Sequence, residues 1–227
     1  MNKIDYQNKS VGELAASRPM SIHVYKQLGI DFCCGGGRPL MVALEEKGVL
    51  IEEFDRKLQS IEAERGTIGQ IDFREMSSGQ LSSYIEDTHH AFLRDQLPRE
   101  SELLQMVLNA HGRAHRELFE VYRLFGQLKT DLEQHLLKEE NLLFPALQDA
   151  PGEEDTRQLA IEIVEEHEAA GEILATLHRI TGDFAIPEDA CETYRIAYDL
   201  LNAIEQDINQ HIHLENNILL KETIDDV

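Results

Sequence analysis

From about residue 79 onward, apolar residues return every three or four positions, the period of one buried helix face. The pattern predicts four long helices. The first spans about 79–109 with Pro98 inside it as an expected kink, and the second about 115–147, ending before Ala150-Pro-Gly. The third spans about 154–181, and the fourth about 189–221 after the loop TGDFAIPED, which contains Pro187. A turn at NAHGR, residues 109–113, separates the first two. Four long helices with short connections form an up-down-up-down bundle.

The first third of the chain is also helical, but in shorter pieces. Ser10-Val-Gly-Glu13 has the spacing of a capping box. Ser17 is a candidate cap for a second helix, with Pro19 in its first turn and an end near Gly29. DFCCGGG, residues 31–37, breaks the pattern, and Pro39 restarts it in PLMVALEEKG, followed by LIEEFDRKLQSIEAER. GTIGQIDFREMSSG, residues 66–79, is polar and rich in glycine and marks a linker. The expected fold class is therefore all-α. A small helical N-terminal domain, residues 1–70, precedes a four-helix bundle, residues 78–222.

The bundle carries an internal repeat. DLEQHLLKEENLLF (131–144) aligns with DINQHIHLENNILL (207–220) at an offset of 76, with six of fourteen positions identical. Both read D-x-x-x-H-x-x-x-E: Asp131, His135, Glu139 and Asp207, His211, Glu215. Residues four apart share a helix face, so each segment points an imidazole and a carboxylate the same way. The first and third helices carry His90 and His167, 77 apart, so the whole hairpin reads as duplicated. Depth agrees: His90 lies 22 residues before Gly112, and His135 lies 22 after Arg113. His167 and His211 are centred on residue 189, just past the Pro187 loop. Four histidines and two glutamates thus converge at one level. His111 and His115 fail this depth test: His111 sits about 30 Å along the helix from His90, belongs to the turn unless Pro98 breaks the helix outright, and is read as a non-ligand.

Imidazole and carboxylate donors without thiolate suit iron, manganese or zinc in a helix bundle. Zinc prefers four-coordinate sites, so six donors with two bridging carboxylates favour a dinuclear centre. Two octahedral ions have twelve positions. Four imidazoles, two bridging glutamates and one oxo or hydroxo bridge fill ten, leaving about one open position on each ion. Asp131 and Asp207, one turn before their histidines, and Glu166, beside His167, are candidates to orient the ligands from behind.

Charge and cysteine content narrow the setting. A net charge of −22 argues against nucleic acid and against membrane surfaces. Three cysteines exclude a disulfide framework and point to the cytoplasm. The N-terminal MNKIDYQNKS lacks the apolar core of a signal peptide, and no apolar run is long enough to span a membrane. Cys33 and Cys34 are adjacent, without metal-site spacing, and read as a thiol station whose glycines permit positive φ and close backbone approach.

DFCCGG, HLLKEENLLFP (135–145), EHEAAGE (166–172) and HIHLENNIL (211–219) together resemble the iron–sulfur cluster repair family, the RIC or YtfE/ScdA/DnrN proteins, across essentially the full chain. The second motif departs from the family by ending ILLK where FP is common. The resemblance implies a hemerythrin-like bundle holding two non-haem irons as an oxo- or hydroxo-bridged di-iron centre. By motif, His90, His135, Glu139, His167, His211 and Glu215 take the ligand positions. The family is linked to repairing clusters damaged by nitric oxide or oxidants, by supplying iron to damaged iron–sulfur clients. NO reduction to N₂O at the centre and a hemerythrin-like O₂ or redox sensor are the alternatives. Homodimer formation is compatible with all three.

Overall fold

The computed structural model describes Tyr6, residues 8–65 and residues 72–225. Ser10 forms the expected capping box: its side chain accepts from the Glu13 amide at 3.1 Å, and its own amide donates to the Glu13 carboxylate at 2.9 Å. Helix α1 (Val11–Ser17) follows. Ser17 does not cap the next helix. It closes α1, its hydroxyl donating to the Glu13 carbonyl at 2.8 Å, and α2 (Ser21–Leu28) begins from Met20 instead. The Ser17 hydroxyl reaches back one turn, the local i−4 bond a helical serine makes to a backbone carbonyl. Gly29 ends α2 at φ 61°, a left-handed cap that glycine adopts without strain. Pro39 starts α3 (Leu40–Glu46), and α4 (Ile51–Arg65) follows. Part of the expected linker, 66–71, lies outside the described residues; beyond it comes one 3₁₀ turn (Phe73–Glu75).

The chain divides into two compact units, residues 1–81 with 212–227, and residues 82–211. The first buries Val11, Leu14, Tyr25, Phe32, Leu40, Phe54 and Leu58 in one apolar cluster, with Tyr25 stacked on Phe54. Residues 212–221 belong to this unit because the N-terminal turns grip them. Asn217 Nδ2 donates to the Cys33 carbonyl at 3.0 Å, and His213 Nδ1 donates to the Phe32 carbonyl at 3.3 Å.

The second unit is the helical bundle. Helix α5 (Ser78–Ile85) enters it, a π turn (Glu86–His90) follows, and α6 (Ala91–His111) runs through Pro98 without ending there. Helix α7 (Leu118–Lys138) packs back against α6, and a π turn (Glu139–Leu143) leads into α8 (Phe144–Asp149). Helix α9 (Glu154–Ile180) packs on α7. Helix α10 (Glu192–Leu214) continues through a third π turn (Glu215–Leu219) to α11 (Lys221–Asp225). The chain is all-α. Leu93, Leu97, Leu128, Leu132, Ile163, Leu174, Ile204 and Ile208 line the interior at helical spacing, and their burial holds the bundle together. Among the described residues, no helix is long and apolar enough to cross a membrane.

A candidate dinuclear metal centre

His90, His135, His167 and His211 come from α6's N-terminal π turn, α7, α9 and α10, and all four are buried. Their Nε2 atoms point at one another: His90 and His211 lie 3.3 Å apart, His135 and His167 3.2 Å apart. Two bare ring nitrogens at that distance repel unless something positive lies between them. Donors about 2.1 Å from one ion and at right angles sit about 3 Å apart, so each pair has the spacing of two ligands on one metal.

Glu139, fully buried, divides its two oxygens between the pairs. Oε1 lies 3.1 Å from His135 Nε2 and 3.8 Å from His167 Nε2. Oε2 lies 3.2 Å from His90 Nε2 and 3.7 Å from His211 Nε2. Burial pulls the Glu139 carboxyl up, but His135, with His167 and His90, outweighs it and holds the group well below the usual range. Glu215 stands one turn beyond His211 on the same helix. Two sets of four donors result, His90, Glu139, His211, Glu215 and His135, Glu139, His167, Glu215, each within 4.8 Å. The two glutamates are common to both sets.

Three π turns lie at this level, one ending on His90, one starting at Glu139 and one starting at Glu215. A π turn inserts one residue into a helix, and such insertions cluster at functional sites. Helix α9, which supplies His167 alone, has none.

The outward faces of the imidazoles are held by carboxylates. Glu166 Oε2 lies 2.7 Å from His135 Nδ1, and its carboxyl is lowered to about 2 by that hydrogen bond and by Lys138. The orienting role expected for Glu166 therefore falls on His135, across the helix interface, rather than on its neighbour His167. Glu140 does the same for His90, Oε1 to Nδ1 at 2.7 Å, and is itself gripped by Arg94. A carboxylate on Nδ1–H fixes the tautomer whose Nε2 lone pair faces inward. Asp207 holds a different histidine from the one expected: its Oδ1 lies 2.9 Å from His89 Nδ1, and the His89 ring stacks on His211 at 5.7 Å. Asp131 is exposed and has no hydrogen bond to a histidine among the described residues. Four residues turn a helix by 400°, so Asp131 and Glu139 lie about 40° to opposite sides of His135, and only the Glu139 side faces the interior.

Sequence reasoning missed His89 and Glu140, although both doublets, His89-His90 and Glu139-Glu140, were visible. His111 and His115 stand at the far end of α6, 21 and 25 residues beyond His90.

In the first unit the cysteine pair is asymmetric. Cys34 is exposed, whereas Cys33 is buried with Sγ 3.2 Å from Asp31 Oδ1. Contact with Cys34 and burial push the Cys33 thiol far up, so it stays protonated. The expectation of two reachable thiols thus holds for Cys34 alone. Nor do Gly35, Gly36 and Gly37 adopt positive φ. Gly36 is required for close approach instead: a Cβ there would lie 2.0 Å from Asn217 Oδ1.

Comparison with known proteins agrees with this description. Residues 82–222 match the hemerythrin HHE cation-binding domain, which defines the class. Residues 7–62 match ScdA_N, a domain of unknown function. Iron-sulfur cluster repair protein YtfE of Pectobacterium atrosepticum is 32% identical over 94% of this chain and 96% of its own length. A probable iron-sulfur cluster repair protein of Haemophilus influenzae is 29% identical over 98% of this chain and all of its own length. Iron-sulfur cluster repair protein ScdA of Staphylococcus epidermidis is 27% identical over 93% of this chain. The chain belongs to this iron-sulfur cluster repair family.

Proposed function

We propose that the protein repairs iron–sulfur clusters damaged by nitrosative or oxidative stress, donating iron held as a labile di-iron store. The observation that carries the metal assignment is the division of Glu139, one oxygen to each histidine pair. On this reading His90 and His211 would hold one iron and His135 and His167 the other, with Glu139 and Glu215 offering carboxylate oxygens to both. Bound iron supplies a releasable cation and a small-ligand site for NO or O₂. The chain's own residues set its terms. Glu140 and Glu166 accept the Nδ1 protons of His90 and His135, so both imidazoles are ready to bind without first losing a proton. Phe144, buried, stacks on the His90 ring with centroids 5.8 Å apart and covers that side of it from water. Damaged iron–sulfur proteins in the cytoplasm are the clients of this reading.

Purified protein is expected to hold about two irons per chain with an oxo-bridged ferric spectrum. Glu139→Leu and Glu215→Leu should each abolish it; normal iron binding by both variants would remove the bridging assignment. Iron-loaded protein is then mixed with an NO-damaged cluster enzyme and a chelator. Recovery of the enzyme without added iron supports donation. Release of N₂O without recovery would make the protein an NO reductase instead.

A further inference from the structure

At the other end of the bundle, about 30 Å along α6 from His90, a second donor cluster joins the two hairpin turns. His111 ends α6, His115 lies one helical turn further on, and Asp189 belongs to the loop before α10. The three offer ligand atoms within 4.8 Å of one another. His115 is the hub. Its Nε2 lies 3.0 and 3.1 Å from the two Asp189 oxygens, and its Nδ1 lies 3.1 Å from Glu117 Oε1. A neutral imidazole has one N–H and can satisfy only one of these carboxylates. The other ring nitrogen presents a lone pair to a carboxylate unless a second proton, making the ring an imidazolium, or a metal ion lies there. His111 brings a further imidazole to the same point, its ring centroid 6.1 Å from that of His115. Tyr194, buried, packs edge-on against both rings, at 5.3 and 5.7 Å, and fixes their orientation.

We infer that His111, His115 and Asp189 form a separate site for one divalent transition cation such as Zn²⁺. Two imidazoles and one carboxylate are a borderline donor set suited to such ions rather than to Ca²⁺ or Mg²⁺. Around an ion with bonds of about 2.1 Å, adjacent donors stand about 3 Å apart, the spacing His115 and Asp189 already have. Glu117 on the outward nitrogen is the carboxylate behind a ligating histidine, and with Asp189 it balances the double charge. Asp189 is 62% exposed along its side chain, so an ion can enter without local unfolding. Because His111 and His115 come from one turn and Asp189 from another, the ion would tie the two hairpins together.

The test titrates Zn²⁺ into iron-loaded, full-length protein by calorimetry, while iron content and the absorption spectrum are followed. Wild type should take up one Zn²⁺ beyond its iron, with a rise in melting temperature. His115→Ala and Asp189→Asn should weaken that uptake at least about tenfold and remove the thermal shift, with the iron spectrum unchanged; Glu117→Gln should weaken it by about the same factor. Asp189→Asn alters an exposed side chain, so it keeps the test informative if His115→Ala folds poorly. Cys191→Ser, which removes the exposed thiol nearby, should bind Zn²⁺ as wild type does. The inference is overturned if wild type takes up no extra Zn²⁺, if Asp189→Asn binds it unchanged, or if the uptake follows Cys191.

Discussion

Glu100 lies in α6 with no exposed surface, and neither of its carboxyl oxygens has a hydrogen-bond partner among the described residues. Burial pushes its carboxyl up to about 9, opposed by the neighbouring Arg99 guanidinium. The folded chain therefore keeps a proton at pH 7 that the unfolded chain, titrating at its ordinary 4.5, has released. Stability from this group is intact below about pH 4.5 and is lost as pH rises toward 9. The loss is about 1 kcal/mol at pH 5 and about 3 kcal/mol at pH 7, at 1.36 kcal/mol per pH unit. Glu100→Gln keeps the shape and removes the titration. Its advantage over wild type should grow by about 2 kcal/mol between those pH values, or about 4–8 °C in melting temperature for a chain of this size. Thermal melts of both iron-loaded proteins across pH 5–8 make the comparison, and any pH dependence of iron retention cancels between them. Melting curves that stay parallel over that range would refute the assignment of a neutral, buried Glu100.

Other expectations are as direct. Glu166→Gln leaves His135 in place but removes the charge on its Nδ1, and should weaken iron retention against a chelator about 10–100-fold; Asp131→Asn, on the exposed face, should leave it unchanged. Gly36→Ala drives a Cβ into Asn217 and should destabilise the first unit by about 1–3 kcal/mol, seen as faster amide exchange over residues 10–40. Asn217→Ala in the same chain should recover part of that loss, and additive effects would show the two residues do not touch. A bulky maleimide should label Cys34 and Cys191 but reach Cys33 only after unfolding; labelling of all three in the native protein would contradict the buried thiol.

The bundle was legible because it is written in period. The four long helices follow apolar residues at three- and four-residue spacing, and their observed ends fall within a few residues of the expected ones. Equal distance from the turns brought His90, His135, His167 and His211 to one level, since rise per residue is fixed. Other features were not legible. Ser17 has the chemistry of a cap, yet its hydroxyl found a carbonyl one turn back. Asp131 and Asp207 occupy equivalent places in the repeat, but only Asp207 has a histidine, His89, within reach. The glycines after Cys34 suggested a turn of positive φ and instead make room for Asn217, 181 positions beyond Gly36.

The sequence by itself determined the helices, the repeat and which imidazoles and carboxylates share a face, because these depend on local spacing alone. Tertiary structure decided how Glu139 shares its oxygens between two histidine pairs, which carboxylate backs which imidazole, and that residues 212–221 are held by the N-terminal turns. It also brought Asp189 to His111 and His115. Each of these depends on the rotation of one helix against another and on π turns that shift it by one residue. Such quantities are set by how side chains pack between segments far apart in the chain, and no local period encodes them.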